Sequence, residues 1–143
     1  MIRELSAEDI NDVVSIWYSA SVKAHDFIAE TFWDSQKESM RDVYIPNSET
    51  WVYCQDSRIL GFISYHQGFV AALFVSPDAQ SKGIGTALLN TLKDCHQSLS
   101  LTVYAENSQA YSFYSQQGFA ELERRPCEHT GHEEVLMSWT LNA

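Results

Sequence analysis

The sequence predicts one mixed α/β (α+β) layer domain, a sheet with helices packed on it, on three observations. Its 143 residues are the common size of a single domain, and folding at that length removes roughly 68% of the unfolded surface from water. Hydrophobic residues make up 45% of the chain and charged residues 20%, with three prolines, which builds a core and excludes wholesale disorder. The apolar period switches repeatedly between the three-to-four spacing of helices and the short runs of strands. No repeat, low-complexity tract or linker interrupts the pattern, so residues 1–143 read as one domain.

The elements follow in order. Residues 2–5 read as a short strand. Ser6-Ala7-Glu8-Asp9 starts a helix, with Ser6 as N-cap, and Ile10, Val13, Val14 and Trp17 form its buried stripe. A second helix is expected over about 33–44, ending before Ile45-Pro46 because proline disfavours helix in its predecessor. Residues 51–54 and 59–65 flank Gln55-Asp56-Ser57-Arg58 as a hairpin. After a turn at Gln67-Gly68, residues 69–75 are almost wholly apolar and read as a strand buried on both faces. Residues 86–96 read as a helix with Leu88, Leu89 and Leu92 inward, 99–104 as a strand, and 108–117 as a helix stopped by Gly118. Strands at 119–124 and 134–141 close the chain around a loop containing Thr130-Gly131. The order is β-α-α-β-β-β-α-β-α-β-β.

Charge and cysteines exclude several classes. Nine Lys plus Arg against 19 Asp plus Glu give a net charge of −10, which repels a phosphate backbone and argues against nucleic-acid binding. Ten of the acids and four of the bases lie in residues 1–50, a field that would steer cations toward that half of the chain. Cys54, Cys95 and Cys127 are widely spaced and form no Cys-x-x-Cys pair, so they read as reduced structural thiols. His129-x-x-His132 near Cys127 reads as a strand-connecting loop, and no metal site is expected. The N-terminus lacks a basic stretch followed by an apolar one, and no apolar run approaches the ~20 residues that span a bilayer. The expected protein is soluble, intracellular and cytoplasmic, a monomer or a homodimer.

The most informative segment is Val75-Ser76-Pro77-Asp78-Ala79-Gln80-Ser81-Lys82-Gly83-Ile84-Gly85-Thr86. An apolar strand stops at Pro77 and a Gly-x-Gly turn opens a helix. Helix N-termini expose unpaired N–H groups and a partial positive charge, glycines admit a phosphate close to the backbone, and Lys82 adds a cation. Neither a Walker loop nor a dinucleotide fingerprint fits the spacing. A second segment, Asn107-Ser108-Gln109-Ala110-Tyr111-Ser112-Phe113-Tyr114 through Gly118-Phe119, follows a strand directly, with Asn107 as N-cap.

Together, Gln80-x-x-Gly83-x-Gly85 and Asn107-x-x-Ala110-x-x-Phe113-Tyr114-x-x-x-Gly118-Phe119 resemble the GNAT superfamily of N-acetyltransferases. The segment order from Ile2 to Leu141 resembles it too. Within the superfamily, His25-Asp26-Phe27-Ile28, Trp51-Val52 and Ala72-Leu73-Phe74-Val75 are similar to the small bacterial YiaC and YjaB type. The resemblance implies the GNAT fold: a mixed, mostly antiparallel sheet flanked by helices, with parallel strands that splay at the cofactor site. It implies acetyl transfer from acetyl-CoA to an amine, which is a protein lysine, a protein N-terminus or a small amine.

By resemblance, the backbone of Leu73, Phe74 and Val75 pairs with the pantetheine arm, and a backbone N–H at Leu73-Phe74 serves the oxyanion. Gln80, Ser81, Lys82, Gly83, Ile84, Gly85 and Thr86 hold the pyrophosphate, and Asn107 the arm. Tyr114 matches the family's general-acid tyrosine, and a phenol of pKa ~10 keeps its proton at neutral pH. His25, in the acceptor-side loop, is the first candidate for general base; Asp26 and Glu106 are the alternatives. Asp26, Phe27 and Phe69 are expected at the acceptor. Two rival classes stay open at this point: a non-catalytic CoA-binding module on the same fold, and a phosphate-ligand protein unrelated to CoA.

Overall fold

The computed structural model describes residues 1–141. One seven-stranded sheet has the order β1-β2-β3-β4-β5-β7-β6. Its strands are β1 (Ile2–Glu4), β2 (Glu49–Gln55), β3 (Arg58–His66), β4 (Phe69–Val75), β5 (Ser98–Tyr104), β6 (Ala120–Pro126) and β7 (Glu133–Thr140). All neighbours run antiparallel except β4 and β5. The α-helices are α1 (Ile10–Ala24), α2 (Glu30–Ser39), α3 (Ile84–Lys93) and α4 (Ser108–Gln116). The sheet separates two cores. Val13, Trp17, Trp33, Ile45, Val52 and Phe62 fill one with α1 and α2. Ile63, Leu88, Leu89, Leu101, Val135 and Met137 fill the other, with Phe113 and Tyr114 of α4 packed against it. No helix among the described residues is long and apolar enough to cross a membrane.

Most boundaries fall within a few residues of the sequence reading. Ser6 opens a single 3-10 turn, Ala7–Asp9, and α1 begins one turn later than expected. The Ser6 N–H and Oγ–H both donate to Asp9 Oδ2 (2.8 and 2.9 Å), and Arg3 forks onto the same carboxylate at 2.7 and 3.1 Å. Helix α2 starts at Glu30, three residues ahead of Trp33, and its last turn, Met40–Tyr44, widens to π geometry. The helix does stop before Pro46, yet Ile45 keeps helical dihedrals, because its buried side chain is locked in the core. Helix α3 starts at Ile84, two residues before Thr86, and ends at Lys93, short of His96.

One expectation is corrected. Strand β4 is not buried on both faces: Phe69 and Ala71 are exposed, and Leu73, Phe74 and Val75 are half-buried. The strand shares one registered pair with β5, Phe69↔Ser100, and has no registered pair with it beyond that point. In register with β3, Ser64 faces Ala72 and Tyr65 faces Val70, so Ala71 is an extra residue, a bulge. Bulges raise local twist and interrupt pairing. An apolar strand thus ends beside an open cleft instead of beside another strand.

Candidate active site

The splay leaves a cavity on either side of the end of β4. One, of about 440 Å³, is lined by Ala20 and Ala24 of α1, Leu73, Phe74 and Val75 of β4, the loop from Ala79 into α3, and Asn107, Ala110, Phe113 and Tyr114. The other, of about 770 Å³, is lined by Trp17, Phe32, Trp33, Tyr44, Ala71, Ala72, Tyr104 and neighbours. Their linings share no residue: along β4 the larger takes Ala71 and Ala72 and the smaller Leu73, Phe74 and Val75, and along α1 the larger takes Trp17 and the smaller Ala20 and Ala24.

The smaller cleft takes its shape from the glycine turn. Ser81 and Gly83 both have positive φ (66° and 82°), and Gly83 is the N-cap of α3. Alternating backbone signs of this kind curl successive N–H groups toward one point, and the first turn of a helix leaves its N–H groups without intrahelical partners. A Cβ added at Gly83 would meet nothing within 4 Å, so the space above the turn is open; one added at Gly85 would touch Phe113 at 3.4 Å. The Gln80 side-chain amide donates to the Val75 carbonyl at 3.1 Å, tying the turn to the end of β4. The Gln117 amide donates to Thr86 Oγ1 at 3.2 Å, tying α3 to α4. Lys82 is exposed and stands outside the lining; the other sequence-predicted cofactor residues all line it.

Tyr114 lines this cleft, edge-on to Phe113 (ring centroids 5.2 Å apart) and Phe119 (5.7 Å). The surrounding apolar groups push its phenol pKa up. Its Oη therefore keeps its proton throughout the neutral range. Asn107 caps α4: its Oδ1 accepts from the Ala110 N–H at 3.2 Å, while its Nδ2 faces His25 Nε2 at 3.1 Å.

His25 is no exposed base. Its side chain is buried, stacked on Trp33 (5.2 Å, 28°) and met edge-on by Phe27 and Tyr104. Burial lowers its pKa to about 4, the Ser21 carbonyl opposing. Phe27 packs on Tyr104 and on His132, bridging the α1–α2 loop to the β6–β7 loop. Asp26 is exposed, and Glu106 is held by His132 Nδ1 at 2.8 Å. Phe69 lies at the paired end of β4, four residues from Leu73, and lines neither cavity. Four residues of strand are about 13 Å.

The larger cavity contains residues that sequence reasoning missed. Trp17, Trp33, Tyr44 and Tyr104 wall it, His66 and His129 join them, and its lining carries no Asp, Glu, Lys or Arg. Only the small-residue spacing Ala20-x-x-x-Ala24, which lines the smaller cleft, could have been read in advance.

The profile of the acetyltransferase (GNAT) domain matches residues 4–141. The chain belongs to the GNAT acetyltransferase family. A peptidyl-lysine N-acetyltransferase of Escherichia coli K12, YiaC, is 35% identical over 140 residues, 97% of this chain and 96% of that protein. The solution structure of apo YjaB from Escherichia coli superposes with a TM-score of 0.86 at 23% identity, covering 97% of this chain and 96% of that one. The PaiA N-acetyltransferase of Thermoplasma acidophilum, solved in complex with coenzyme A, superposes with a TM-score of 0.80 at 20% identity, covering 98% of each chain.

This GNAT enzyme is thus an acetyl-CoA-dependent N-acetyltransferase, and the unrelated phosphate-ligand reading falls away. Its buried His25 makes stability pH-dependent. The folded state holds the ring neutral down to about pH 4, whereas the unfolded chain takes up a proton near pH 6.5. Between those values the unfolded state binds more protons, so stability falls on acidification, by on the order of 3 kcal/mol. Tyr104, the titratable group against the ring, is held neutral by its own burial and does not share this window. Asp9, held low by Arg3, loses its contribution only at more acidic pH. Urea unfolding across pH 4 to 7 checks this, and His25→Phe should flatten that window alone.

Proposed function

We propose that this acetyltransferase acetylates the side-chain amine of peptidyl lysine, with the acetyl-CoA arm in the smaller cleft and the acceptor in the larger cavity. The observation that supports the reading is that neighbouring residues of β4 serve the two cavities, Ala72 the larger and Leu73 the smaller. Acetyl-CoA supplies an acetyl group activated as a thioester. The residues present fit it: β4 has a free edge past Phe69, where an extended arm can add like a strand, and the open Gly83 turn meets the pyrophosphate. Leu73, Phe74 and Val75 hold the arm; Ser81, Gly83, Ile84, Gly85 and Thr86 offer amides to the phosphates; Gln80 braces the turn; Lys82 contributes its charge from outside. Asn107 faces the arm from the end of β5. Tyr114 holds a proton at Oη for the departing sulfur.

A lysine fits the uncharged aromatic cavity because its stem is aliphatic and its ammonium is attracted to aromatic faces. The name of the YiaC relative supports lysine over small amines. Asp26 and Phe27 sit at the loop above this wall, where they meet the acceptor chain. Phe69, the strand partner of His66 on the larger cavity's lining, belongs at the edge of the same acceptor site. Assaying lysine peptides, peptides with a free N-terminus only, and polyamines by thiol release tests the reading; turnover should be restricted to the lysine set. Turnover of polyamines alone would reject it.

The acids of residues 1–50 stay outside the acceptor cavity, so they act by field. Added salt shortens the Debye length from ~10 Å at 0.1 M, and kcat/KM for a lysine peptide should drop about tenfold from low to high salt. Affinity for anionic acetyl-CoA should not fall in parallel. A salt-insensitive kcat/KM would assign those acids to solubility.

A further inference from the structure

The α1–α2 loop delivers one buried polar group to the cofactor side of the molecule. His25 is the residue that ends α1, its N–H bonded to the Ser21 carbonyl at 2.9 Å. Its ring is fixed by Trp33, Phe27 and Tyr104, and its Nε2 lies 3.1 Å from Asn107 Nδ2.

The proton positions follow from the partners. The Ala110 N–H can only donate, so the Asn107 atom facing it must be the oxygen. The other end of that amide is then NH₂, which can only donate. His25 Nε2 must accept, and the neutral ring carries its proton on Nδ1. Nδ1 is buried with the Ser21 carbonyl beside it, outside strict hydrogen-bond geometry, which suits an Nδ1–H; a protonated ring would set N–H against N–H at Asn107. The arrangement makes sense as a holder of Asn107, and poor sense as a proton acceptor.

We propose that His25 is a positioning residue, whose Nδ1–H tautomer accepts from Asn107 and aims that amide into the acetyl-CoA cleft. The proposal rests on the reading that Asn107 meets the cofactor arm. The grip extends to the other substrate: Trp33, stacked on His25, and Tyr104, edge-on to it, both wall the acceptor cavity. One ring therefore joins the acceptor wall to a cofactor ligand, and no proton passes through it.

The test begins with the wild-type protein. Ring ¹⁵N spectra at neutral pH should report Nδ1–H with an accepting Nε2; an Nε2–H tautomer overturns the proposal, whether or not any variant folds. Calorimetric titration with acetyl-CoA then compares variants. His25→Phe keeps an aromatic ring but not the acceptor and should lose about tenfold in affinity, the effect of one hydrogen bond. His25→Gln, whose Oε1 can accept, should recover most of it. Asn107→Ala should weaken binding at least as much, and His25→Phe added to it should cost nothing further, the non-additivity of a shared interaction. The ratio kcat/KM should rise with pH as the acceptor amine loses its proton, and this rising limb should survive in His25→Phe. If Asn107→Ala binds acetyl-CoA normally, the reading of Asn107 fails. If Asn107→Ala binds weakly while His25→Phe binds normally, or if His25→Phe loses the rising limb, the positioning role fails.

Discussion

Gly83→Asp should abolish measurable binding of acetyl-CoA while leaving the fold intact. The position has φ +82° and no atom within 4 Å of an added Cβ, so the substitution meets no steric wall. Its backbone cost is about 1 kcal/mol, and Asp is among the residues that tolerate this conformation. The carboxylate, however, would stand over the first turn of α3, where the pyrophosphate belongs. Two unit charges ~4 Å apart at an effective dielectric of ~20 repel by about 4 kcal/mol, on the order of 10³-fold in affinity. Gly83→Asn separates charge from shape: it is nearly isosteric, equally tolerant of positive φ and neutral, so it should retain much of the binding. Calorimetric titration of both variants checks the pair. Equal loss in the two would show that shape, and not charge, controls the turn.

Tyr114→Phe should lower kcat by ~10²-fold, the scale on which a positioned proton donor acts. Acetyl-CoA affinity should change little, because the ring and its edge contacts to Phe113 and Phe119 remain. The raised pKa of this phenol means that the protonated form prevails at every neutral pH, so loss of Oη should scale the pH–rate profile down without moving it. If His25 is no base, the rise of rate with pH should follow the acceptor's own deprotonation, from an amine of pKa ~10.4. Steady-state kinetics over the neutral to alkaline range checks both points. An unchanged kcat would assign the proton to water.

The parts of this site that were legible in the sequence are those governed by local geometry. A glycine that must take positive φ, a helix N-terminus after a strand, and an Asn cap each show in a few consecutive residues, and Gly83 and Asn107 both line the smaller cleft; Tyr114, which lines it too, stood out only through the family resemblance. The splay of β4 was legible only through the family resemblance. The bulge at Ala71 that accompanies it depends on pairing with Ser64 and Tyr65, and an apolar strand facing a cleft has the composition of one facing a core. For the same reason residues 69–75 read as doubly buried. His25 resisted for a different reason. Its ordinary pKa near 6.5 suggests a base, but Trp33, Tyr104 and Asn107, which bury it and occupy Nε2, come from α2, the far end of β5 and the N-cap of α4. Contacts across that much sequence are not written in the spacing of any motif. The larger, aromatic cavity is likewise a product of assembly, drawn from α1, α2 and its π turn, β3, β4, β5 and two loops.

The most direct test of the account is a titration of ¹⁵N-labelled protein with acetyl-CoA, following the backbone amides. The account predicts the largest shifts at Leu73, Phe74 and Val75 and at Ser81 through Thr86, with smaller ones at Asn107 and Tyr114 and little change at Phe69. Shifts confined to the cavity walled by Trp17, Trp33 and Tyr44, or no shifts at saturating acetyl-CoA, would contradict it.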